Sequence, residues 1–470
     1  MGKRVGRRRP RIGLLGVMAG DYEPIFPGII KAQEEYGLEI VEELSDVITL
    51  DFPKVALNRK DIEEIVTYFN YKKYDGIMIV FFTYSPGAHC IRALMENSLP
   101  LLAAVIQPDQ KVDDNFSEYH LTINQGIHGA QDNCNAILRM GIPYHIIVEN
   151  RKSDRFKKRV EDWAYAAMTA EAMKQMKVGV IGGRLTGMGD ILMDDAAFLR
   201  KIGPEAICEY TGNIWKHMQY LTEEEIKNQL IKDYEIFEVD KNLHKESHKE
   251  AIRIYLGLKH LCEEMGFEAY TAHFECFGAD GRFRQLPLYA ASHMMADGYG
   301  YSAEGDVCCA ALVKMGHLLC GIANFTEMYM IDYALDAVIC CHAGEGNWAV
   351  ADKKYKPKLI DRYLGEGGLD NPPTPIFQPQ IGEATLVSLV PIKGEYFRLV
   401  VSKGEILEKC DMPHNEMPYL FYRPDCGIRY CVEEWMKKGG THHEVITLGD
   451  TRDRWRILCR ILDIEYTEIN

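Results

Sequence analysis

The sequence has no surplus of basic residues. Its 54 Lys and Arg residues are outnumbered by 69 Asp and Glu residues, which gives a formal net charge of −15. Nucleic acids and anionic membrane surfaces repel an acidic protein, so neither is an expected partner. The one basic cluster, Lys3 to Arg11, is not followed by an apolar segment. We therefore expect it to be a solvated tail rather than a targeting signal.

Long apolar runs and paired cysteine motifs are also missing. No run of about 18 apolar residues occurs, so no segment is predicted to cross a membrane. The 14 cysteines include no C-x-x-C pair, but they do include two adjacent pairs, Cys308-Cys309 and Cys340-Cys341. Because neighbouring cysteines rarely form a bridge with each other, we expect buried thiols in a reduced, cytoplasmic protein.

The first half of the chain alternates between predicted strands and helices. It opens with a strand at Arg11–Val17, a helix at Pro24–Tyr36 and a strand at Leu38–Leu44. Further on, the continuous apolar run Tyr74–Phe82 is typical of a strand that is buried on both faces. This alternation predicts a doubly wound parallel sheet, with ligands bound at the carboxyl ends of its strands.

The length of 470 residues is too great for a single core, so two or three domains are expected. A second α/β unit begins with Lys177–Gly183, a strand that runs into a glycine turn. Beyond about residue 345, the pattern changes to antiparallel strands such as Ala384–Ile392 and Glu395–Val401. We predict two doubly wound α/β parallel-sheet domains followed by a β-rich, barrel-like C-terminal domain. The predicted boundaries are 1–175, 176–325 and 326–470.

Four polar side chains in the second half of the chain are candidate metal ligands. Each lies in a short segment that contains glycine or is flanked by apolar residues. They are Glu304, Glu327, His342 and His443, the last being the second histidine of a G-G-T-H-H run. Two carboxylates and two imidazoles suit a labile divalent ion such as Mn²⁺ better than a closed thiolate zinc site. Taken singly, each residue also fits an ordinary solvated or structural role, and the spacings alone are not diagnostic.

Several short motifs occur in a definite order along the chain. Those around the candidate ligands are Ala303–Asp306 (AEGD), Phe325–Glu327 (FTE), Cys341-His342 and Gly439–His443 (GGTHH). Three further segments are Asn124–His128 (NQGIH), the helical stretch Ala251–Glu264 and the glycine-rich crossing Leu364–Phe377. Together these motifs resemble the L-arabinose isomerase family, part of the wider L-fucose/L-arabinose isomerase superfamily. The resemblance covers most of residues 100–470, with gaps.

The resemblance implies a metal-dependent enzyme that interconverts an aldose and a ketose. By position, Glu304, Glu327, His342 and His443 match the metal ligands of the family, and His442 is placed among the substrate-binding residues. Gln125 and His128 match sugar contacts that the first domain of a neighbouring subunit donates. A homo-oligomer, either a trimer or a hexamer, with active sites shared between subunits is therefore implied.

The chemistry implied is proton transfer through a cis-enediol(ate) of the open-chain sugar. A divalent ion at O1 and O2 spreads the negative charge of that intermediate, and two flanking carboxylates serve as base and acid. We assign Glu304 as the base and Glu327 as the acid, although the sequence leaves the reverse assignment open.

Two positions depart from the pattern of the family. Met18 stands where the family has an amide side chain, and Arg184 stands where the family has an uncharged residue. A methionine cannot form a hydrogen bond to a sugar hydroxyl, whereas an arginine can bind an anion. The expected substrate is thus either an L-arabinose- or L-fucose-like aldose or a modified hexose with an anionic group. A surface role for Arg184 is the alternative.

Two other classes of function compete with the isomerase. A non-catalytic sugar-binding protein of the same fold would retain Gln125 and His128 but lack one or more ligands, and here all four ligand positions are filled. A nicotinamide-dependent oxidoreductase is disfavoured because Lys177–Gly183 lacks the G-x-G-x-x-G spacing of a dinucleotide site.

Overall fold

The computed structural model describes residues 7–278, 280–364, 368–408, 412 and 414–470. Within this range the chain forms two compact units, one of residues 8–171 and the other of residues 172–470 together with Arg7. The basic cluster from Lys3 begins outside the described residues, and the crossing Leu364–Phe377 includes three positions, 365–367, that also lie outside them. Among the described residues, no helix is both long enough and apolar enough to cross a membrane.

The first unit is built around a five-stranded parallel sheet of order β2-β1-β3-β4-β5. Its central strand β3 is buried along its whole length, as the apolar run predicts. The strands are β1 (Arg11–Val17), β2 (Thr49–Asp51), β3 (Gly76–Phe81), β4 (Leu101–Val105) and β5 (His145–Val148). The helices are α1 (Ile29–Glu43), α2 (Arg59–Tyr71), α3 (Ile91–Met95), α4 (Glu118–Ile123), α5 (Gly126–Arg139) and α6 (Asp154–Met173).

The strand predicted at Leu38–Leu44 is wrong, because helix α1 continues through it to Glu43. The buried residues of α1 include Ile29, Tyr36 and Ile40, which recur at the spacing of one helical face. The run therefore continues the helix predicted at Pro24–Tyr36, because α1 is unbroken from Ile29 to Glu43. The second strand of the sheet is instead the three-residue β2, which pairs with the start of β1.

The second unit begins with a four-stranded parallel sheet of order β10-β9-β6-β7. Its strands are β6 (Lys177–Ile181), β7 (Glu205–Glu209), β9 (Ala269–Ala272) and β10 (Gly300–Ala303). Its helices are α7 (Asp195–Lys201), α8 (Thr211–Gln219), α9 (Glu223–Ile236), α10 (Lys245–Met265), α11 (Leu288–Ala296) and α12 (Val307–Cys320). A separate small sheet joins β8 (Glu238–Val239), β13 (Lys358–Asp361) and β14 (Pro373–Ile376).

The rest of the second unit is a closed antiparallel barrel of six strands. The ring runs β15-β18-β11-β12-β17-β16 and closes through the long pairing of β15 with β16. The strands of the ring are β11 (Ala323–Asp332), β12 (Ala337–Cys341), β15 (Gly382–Lys393), β16 (Tyr396–Leu407), β17 (Tyr419–Pro424) and β18 (Glu444–Leu448). Strand β19 (Glu465–Ile469) adds to β16 in parallel, and the helices are α13 (Ile428–Lys437) and α14 (Arg452–Leu462).

The predicted fold class is confirmed: two parallel-sheet α/β domains precede a β-barrel domain. The core of the barrel is filled by buried side chains from several strands and from α13, among them Leu386, Tyr422 and Trp435. The predicted boundary near residue 325 stays a prediction, because residues 172–470 form one compact unit.

The cysteines of the described residues are all free thiols. Cys308, Cys309, Cys340 and Cys341 are buried, and burial raises the pKa of each thiol above its ordinary value. The expected buried thiols are therefore found. The expected cytoplasmic location stays a prediction.

Candidate active site

Glu304 lies at the carboxyl end of β10, in a tight turn that leads into α12. Its backbone has a positive φ of 67°, which is unusual for a residue with a side chain. The turn is held on both sides: the Glu304 N–H donates to the Ala272 carbonyl at 2.8 Å, and its carbonyl accepts from the Leu185 N–H at 2.8 Å. Strained backbone that the surroundings fix in this way is typical of a functional position.

Gly305 makes this turn possible. Its φ is +91°, and a Cβ atom placed there would lie 2.4 Å from the Cα of Arg184. Two chain segments therefore approach each other more closely at this point than any other residue would allow. The result is a fixed direction for the Glu304 side chain.

Asp306 has two partners. Its Oδ1 caps α12 by accepting from the Cys309 N–H at 2.9 Å, and its Oδ2 lies 2.9 Å from His443 Nδ1. The side chain is buried, as is that of His443. The residue that starts helix α12 therefore also orients an imidazole that is more than one hundred residues away along the chain.

Glu327 lies on β11, between two neighbouring strands of the barrel. Glu327 pairs with Cys341 of β12, so His342 follows directly beside it. On the other side Thr326 pairs with Glu444 of β18, so His443 lies beside Glu327 as well. The register of three strands therefore brings one carboxylate between two histidines.

The side chains converge closely. His443 Nε2 lies 3.1 Å from Glu327 Oε1 and 3.4 Å from Glu304 Oε2. His442 Nε2 lies 3.6 Å and 4.0 Å from the same two oxygens. Glu304, Glu327, His442 and His443 each offer a ligand atom, and all these atoms lie within 4.8 Å of one another.

His342 approaches the same point through Glu327. Its Nε2 lies 3.5 Å from Glu327 Oε1, and its ring centroid is 6.0 Å from that of His443. The structure thus brings His342 to the edge of the cluster, while His442, which had been placed on the substrate side, lies within it.

A carboxylate oxygen lies within 2.9 Å of the Nδ1 atom of each of these three histidines. The distances are 2.8 Å from His342 to Glu345, 2.7 Å from His442 to Asp190 and 2.9 Å from His443 to Asp306. The Nε2 atoms of His442 and His443 face both Glu304 and Glu327, and that of His342 faces Glu327. Metal-binding histidines commonly have such a carboxylate behind them, because it fixes the tautomer and the ring orientation.

The electrostatics of the cluster favour positive charge at its centre. Burial alone would raise the pKa of Glu304, but the imidazoles of His442 and His443 hold it below its ordinary value. Asp190, followed by Glu304, raises the pKa of His442 to about 9. Burial opposes protonation of His443, yet Asp306, Glu304 and Glu327 still raise its pKa well above the ordinary range.

The donor set fits a divalent cation. Glu304 Oε2 and His443 Nε2 are buried, and within the described part of the chain neither atom makes a hydrogen bond. Buried polar atoms of this kind need a partner, and carboxylate oxygens and imidazole nitrogens together are suitable ligands for Mn²⁺.

The predicted sugar contacts lie elsewhere in the chain. Gln125 directly precedes α5 in the first unit, and the exposed His128 lies one turn along, with 3.5 Å between Gln125 Oε1 and His128 Nδ1. Met18 follows β1 and is buried, with 1% of its surface exposed. Arg184 is part-exposed and forms an ion pair with Asp195. The substrate-binding roles of these residues stay predictions.

The chain matches models of the L-arabinose isomerase family along most of its length. Residues 28–175 match the N-terminal domain, residues 200–321 the central domain and residues 322–465 the C-terminal domain. The chain belongs to the L-arabinose isomerase family. It is therefore a sugar isomerase, an enzyme that interconverts an aldose and a ketose.

Individual relatives support the assignment over nearly the whole chain. L-arabinose isomerase 1 of Bacillus licheniformis is 27% identical over 95% of this chain and 94% of its own length. The L-arabinose isomerases of Geobacillus stearothermophilus and Leuconostoc mesenteroides are each 24% identical over 94% of this chain, and over 91% and 96% of their own lengths.

A solved structure with a bound sugar also matches, though weakly. It is a periplasmic solute binding protein from Actinobacillus succinogenes with bound D-allose, 13% identical, with a TM-score of 0.17. The match covers 61% of this chain and 89% of the other. A score this low supports no conclusion about the isomerase.

Sequence reasoning missed the three carboxylates behind the histidines. Asp306 stands in the A-E-G-D motif itself, and its place directly before a helix is a recognisable capping signal. Asp190 and Glu345 carry no comparable signal. Each becomes meaningful only once the chain has folded and its carboxylate meets an imidazole.

The turn at Gly305 yields a stability prediction. Replacing Gly305 by Ala should lower the free energy of unfolding by about 2 kcal/mol or more, because the added Cβ meets backbone and the left-handed φ is strained. Gly189→Ala is the matched control, since its Cβ would meet no atom within 4 Å. Urea denaturation of both variants provides the measurement. Equal stability of the two would contradict the close approach at Gly305.

Proposed function

We propose that this isomerase is metal-dependent and acts through a cis-enediolate of an open-chain aldose. The observation that supports the proposal is the convergence of two glutamates on His443, with three imidazoles held from behind by carboxylates. A metal-dependent isomerase needs both a cation site and two proton-transfer groups at one place, and this cluster can provide them.

The proposed ligands are Glu304, Glu327, His342 and His443, and His442 is proposed as a substrate-binding residue. The separation of His442 Nε2 from Glu327 is close to that of His342 Nε2, at 3.6 Å and 3.5 Å. Either imidazole is therefore within reach of the same cation. When bound, a divalent ion, Mn²⁺ in this proposal, would supply Lewis acidity to the two sugar oxygens that exchange the carbonyl.

The two glutamates would transfer the protons. Glu304 removes the proton from C2 of the aldose, the C2 electrons form the C1–C2 double bond, and the carbonyl electrons move to O1. Glu327, which starts protonated, gives its proton to O1 and then takes the proton from O2. The O2–H electrons form the C2 carbonyl, and the C1–C2 double bond takes at C1 the proton that Glu304 holds, which gives the ketose. The lowered pKa of Glu304 suits the base, because it keeps that carboxylate ionised.

Removing either carboxylate should abolish turnover. We expect Glu304→Gln and Glu327→Gln to reduce kcat by about 10²–10⁴-fold or more, since each variant loses an acid–base group. Ketose formation with added Mn²⁺ measures the effect, and the metal content of the purified protein reports on the site. The control is Glu275→Gln, an exposed side chain of the same unit. Near-normal activity of either active-site variant would show that its assigned role is wrong.

We also infer that the enzyme is a homo-oligomer, a trimer or a hexamer, in which Gln125 and His128 complete the site of a neighbouring subunit. Both residues lie at the exposed start of α5, in a compact unit separate from that of the glutamates. Their match to sugar contacts of the family supports the inference.

Mixed subunits test this sharing. Preparations of His128→Ala and Glu304→Gln should each be inactive, but after unfolding and refolding together they should regain part of the activity. The gain arises because some sites then combine an intact glutamate with an intact His128 from another subunit. Co-refolding Glu304→Gln with Glu327→Gln is the control, and it should restore nothing. Failure of the first mixture to gain activity over the second would contradict a shared site.

Two side chains bear on the identity of the substrate. The relatives are named for L-arabinose, but Met18 and Arg184 depart from the pattern of the family, which favours an aldose with an anionic group. The ion pair of Arg184 with Asp195 is part-exposed, so this guanidinium remains accessible at the edge of the turn that holds Glu304.

Kinetics on two kinds of sugar decide the matter. Arg184→Ala should weaken the binding of an anionic aldose by about 1.5–3 kcal/mol, because a charge-assisted hydrogen bond is lost. The loss should appear as a higher KM for that sugar. KM for L-arabinose should change little. Arg200→Ala is the control, since Arg200 is an exposed arginine that also forms an ion pair, with Glu395. Efficient turnover of L-arabinose, or no effect of Arg184→Ala on any sugar, would refute the anionic substrate.

A further inference from the structure

The loop that joins β6 to α7, residues 182–194, borders the candidate active site. Near its start, Leu185 donates its N–H to the Glu304 carbonyl at 2.8 Å, which fixes the loop at that point. Further along, Ile191 is buried, with 1% of its surface exposed, and fixes the loop again. We call the segment between these two points, residues 186–190, the strap.

The strap itself is lightly held. Thr186, Gly187, Gly189 and Asp190 are exposed, and within the described part of the chain no N–H of residues 186–190 donates to a backbone carbonyl. A Cβ atom at Gly189 would meet no atom within 4 Å, and Gly189 does not have a left-handed φ. Packing therefore does not require glycine at this position, and its effect is to leave the backbone free to move.

Asp190 attaches the end of the strap to the barrel. Its Oδ2 accepts from the His442 N–H at 3.0 Å and lies 2.7 Å from His442 Nδ1. The strap thus runs from the turn that holds Glu304 to the loop that holds His442, and both of these residues offer an atom to the metal cluster. Movement of the strap would therefore change access to the cluster.

The pair of Asp190 and His442 differs in exposure from the other carboxylate–imidazole pairs of the site. Its side chains are 39% and 38% exposed, whereas no side chain of the pairs that hold His342 and His443 is more than 8% exposed. An exposed ion pair contributes little to stability, but a buried pair is costly to break. Of these three pairs, the one on the strap is suited to break and re-form during turnover.

The barrel side of this contact is fixed. Gly440 packs so closely on Trp435 that a Cβ atom there would lie 2.3 Å from the indole Nε1. Thr441 is buried, and its N–H donates to Ser388 Oγ at 3.1 Å. Because the segment that carries His442 is held in this way, separation of the pair requires movement of the strap.

We propose that the strap opens to admit the sugar and closes when Asp190 meets His442. In the closed form Asp190 is a positioning residue, because it holds His442 Nδ1 while Nε2 faces the two glutamates at 3.6 Å and 4.0 Å. Opening releases the imidazole and widens the entrance beside Glu304. The inference rests on the proposed function, which assigns His442 to the substrate. Loops of this kind commonly control substrate entry and product release.

Hydrogen exchange of the full chain, without sugar or metal, tests the strap first. In the wild type we expect the amides of residues 186–190 to exchange at least about ten-fold faster than that of Leu185, which is hydrogen-bonded. Asp190→Ala should speed exchange of the His442 amide by about five-fold or more, because that amide loses its acceptor. Asp190 is exposed, so the variant should fold normally. Exchange in the strap as slow as that of Leu185 would overturn the inference.

Kinetics on L-arabinose with added Mn²⁺ then test the positioning role. Asp190→Ala should lower kcat/KM by about five-fold or more, mainly through KM, while the metal content stays unchanged. Asp190→Asn should recover most of the loss, because the amide oxygen can accept the same hydrogen bonds. In the wild type, saturating L-arabinose should slow exchange in residues 186–190, and it should do so less in Asp190→Ala.

Glu264→Ala is the matched control. Glu264 also pairs with a part-exposed imidazole, that of His217, at 2.9 Å on another face of the same unit. Its loss should change neither the exchange of the His442 amide nor the kinetics. Wild-type kinetics in Asp190→Ala, or strap exchange that the sugar does not slow, would overturn the inference. A wild type without isomerase activity would instead refute the proposed function, and exchange of the free protein would still decide whether the strap opens.

Discussion

The active site of this enzyme depends on positive charge that offsets the repulsion between two carboxylates. Glu304 and Glu327 come from different parts of the fold, one from the edge of a parallel sheet and one from a barrel strand. Their carboxylates would repel each other if nothing positive lay between them. His443 lies within 3.4 Å of both, and its raised pKa expresses the same demand for a positive charge. A cation held at that point would meet the demand directly.

Closure of the barrel makes that arrangement possible. Strand β11 is paired with β12 on one side and with β18 on the other, so Glu327 has a histidine segment on each flank. A shift of one residue in either pairing would turn these side chains to the opposite face. The barrel therefore fixes the register at the site, and its buried core stabilises that register against slippage.

Asp306 joins the α/β sheet to the barrel within the same unit. One oxygen starts helix α12 while the other holds His443, so the end of β10 and the start of β18 are positioned by a single side chain. The turn at Glu304 and Gly305, with its positive φ values, immediately precedes it. Backbone strain, helix capping and imidazole orientation thus occur in three consecutive residues, which explains why the A-E-G-D motif is so informative.

The local sequence pattern predicts correctly those helices and strands that are specified by their own apolar periodicity and turn residues. Helix α10 contains the predicted helical stretch Ala251–Glu264, and Gly266 ends it in a left-handed conformation. The antiparallel hairpin of β15 and β16 turns at Gly394, as its sequence indicates. The strand prediction at Leu38–Leu44 is wrong because a short apolar run fits a helix face as well as a strand.

At the site, the sequence by itself determined the residue types, their order and, through family resemblance, the choice of Glu304, Glu327 and His443. Only the tertiary structure decided that His442 lies as near the centre as His342, and that Asp190 and Glu345 hold these two rings. Such contacts join residues with no common local pattern. They arise from strand register and from the meeting of loops, which no segment of the chain encodes alone.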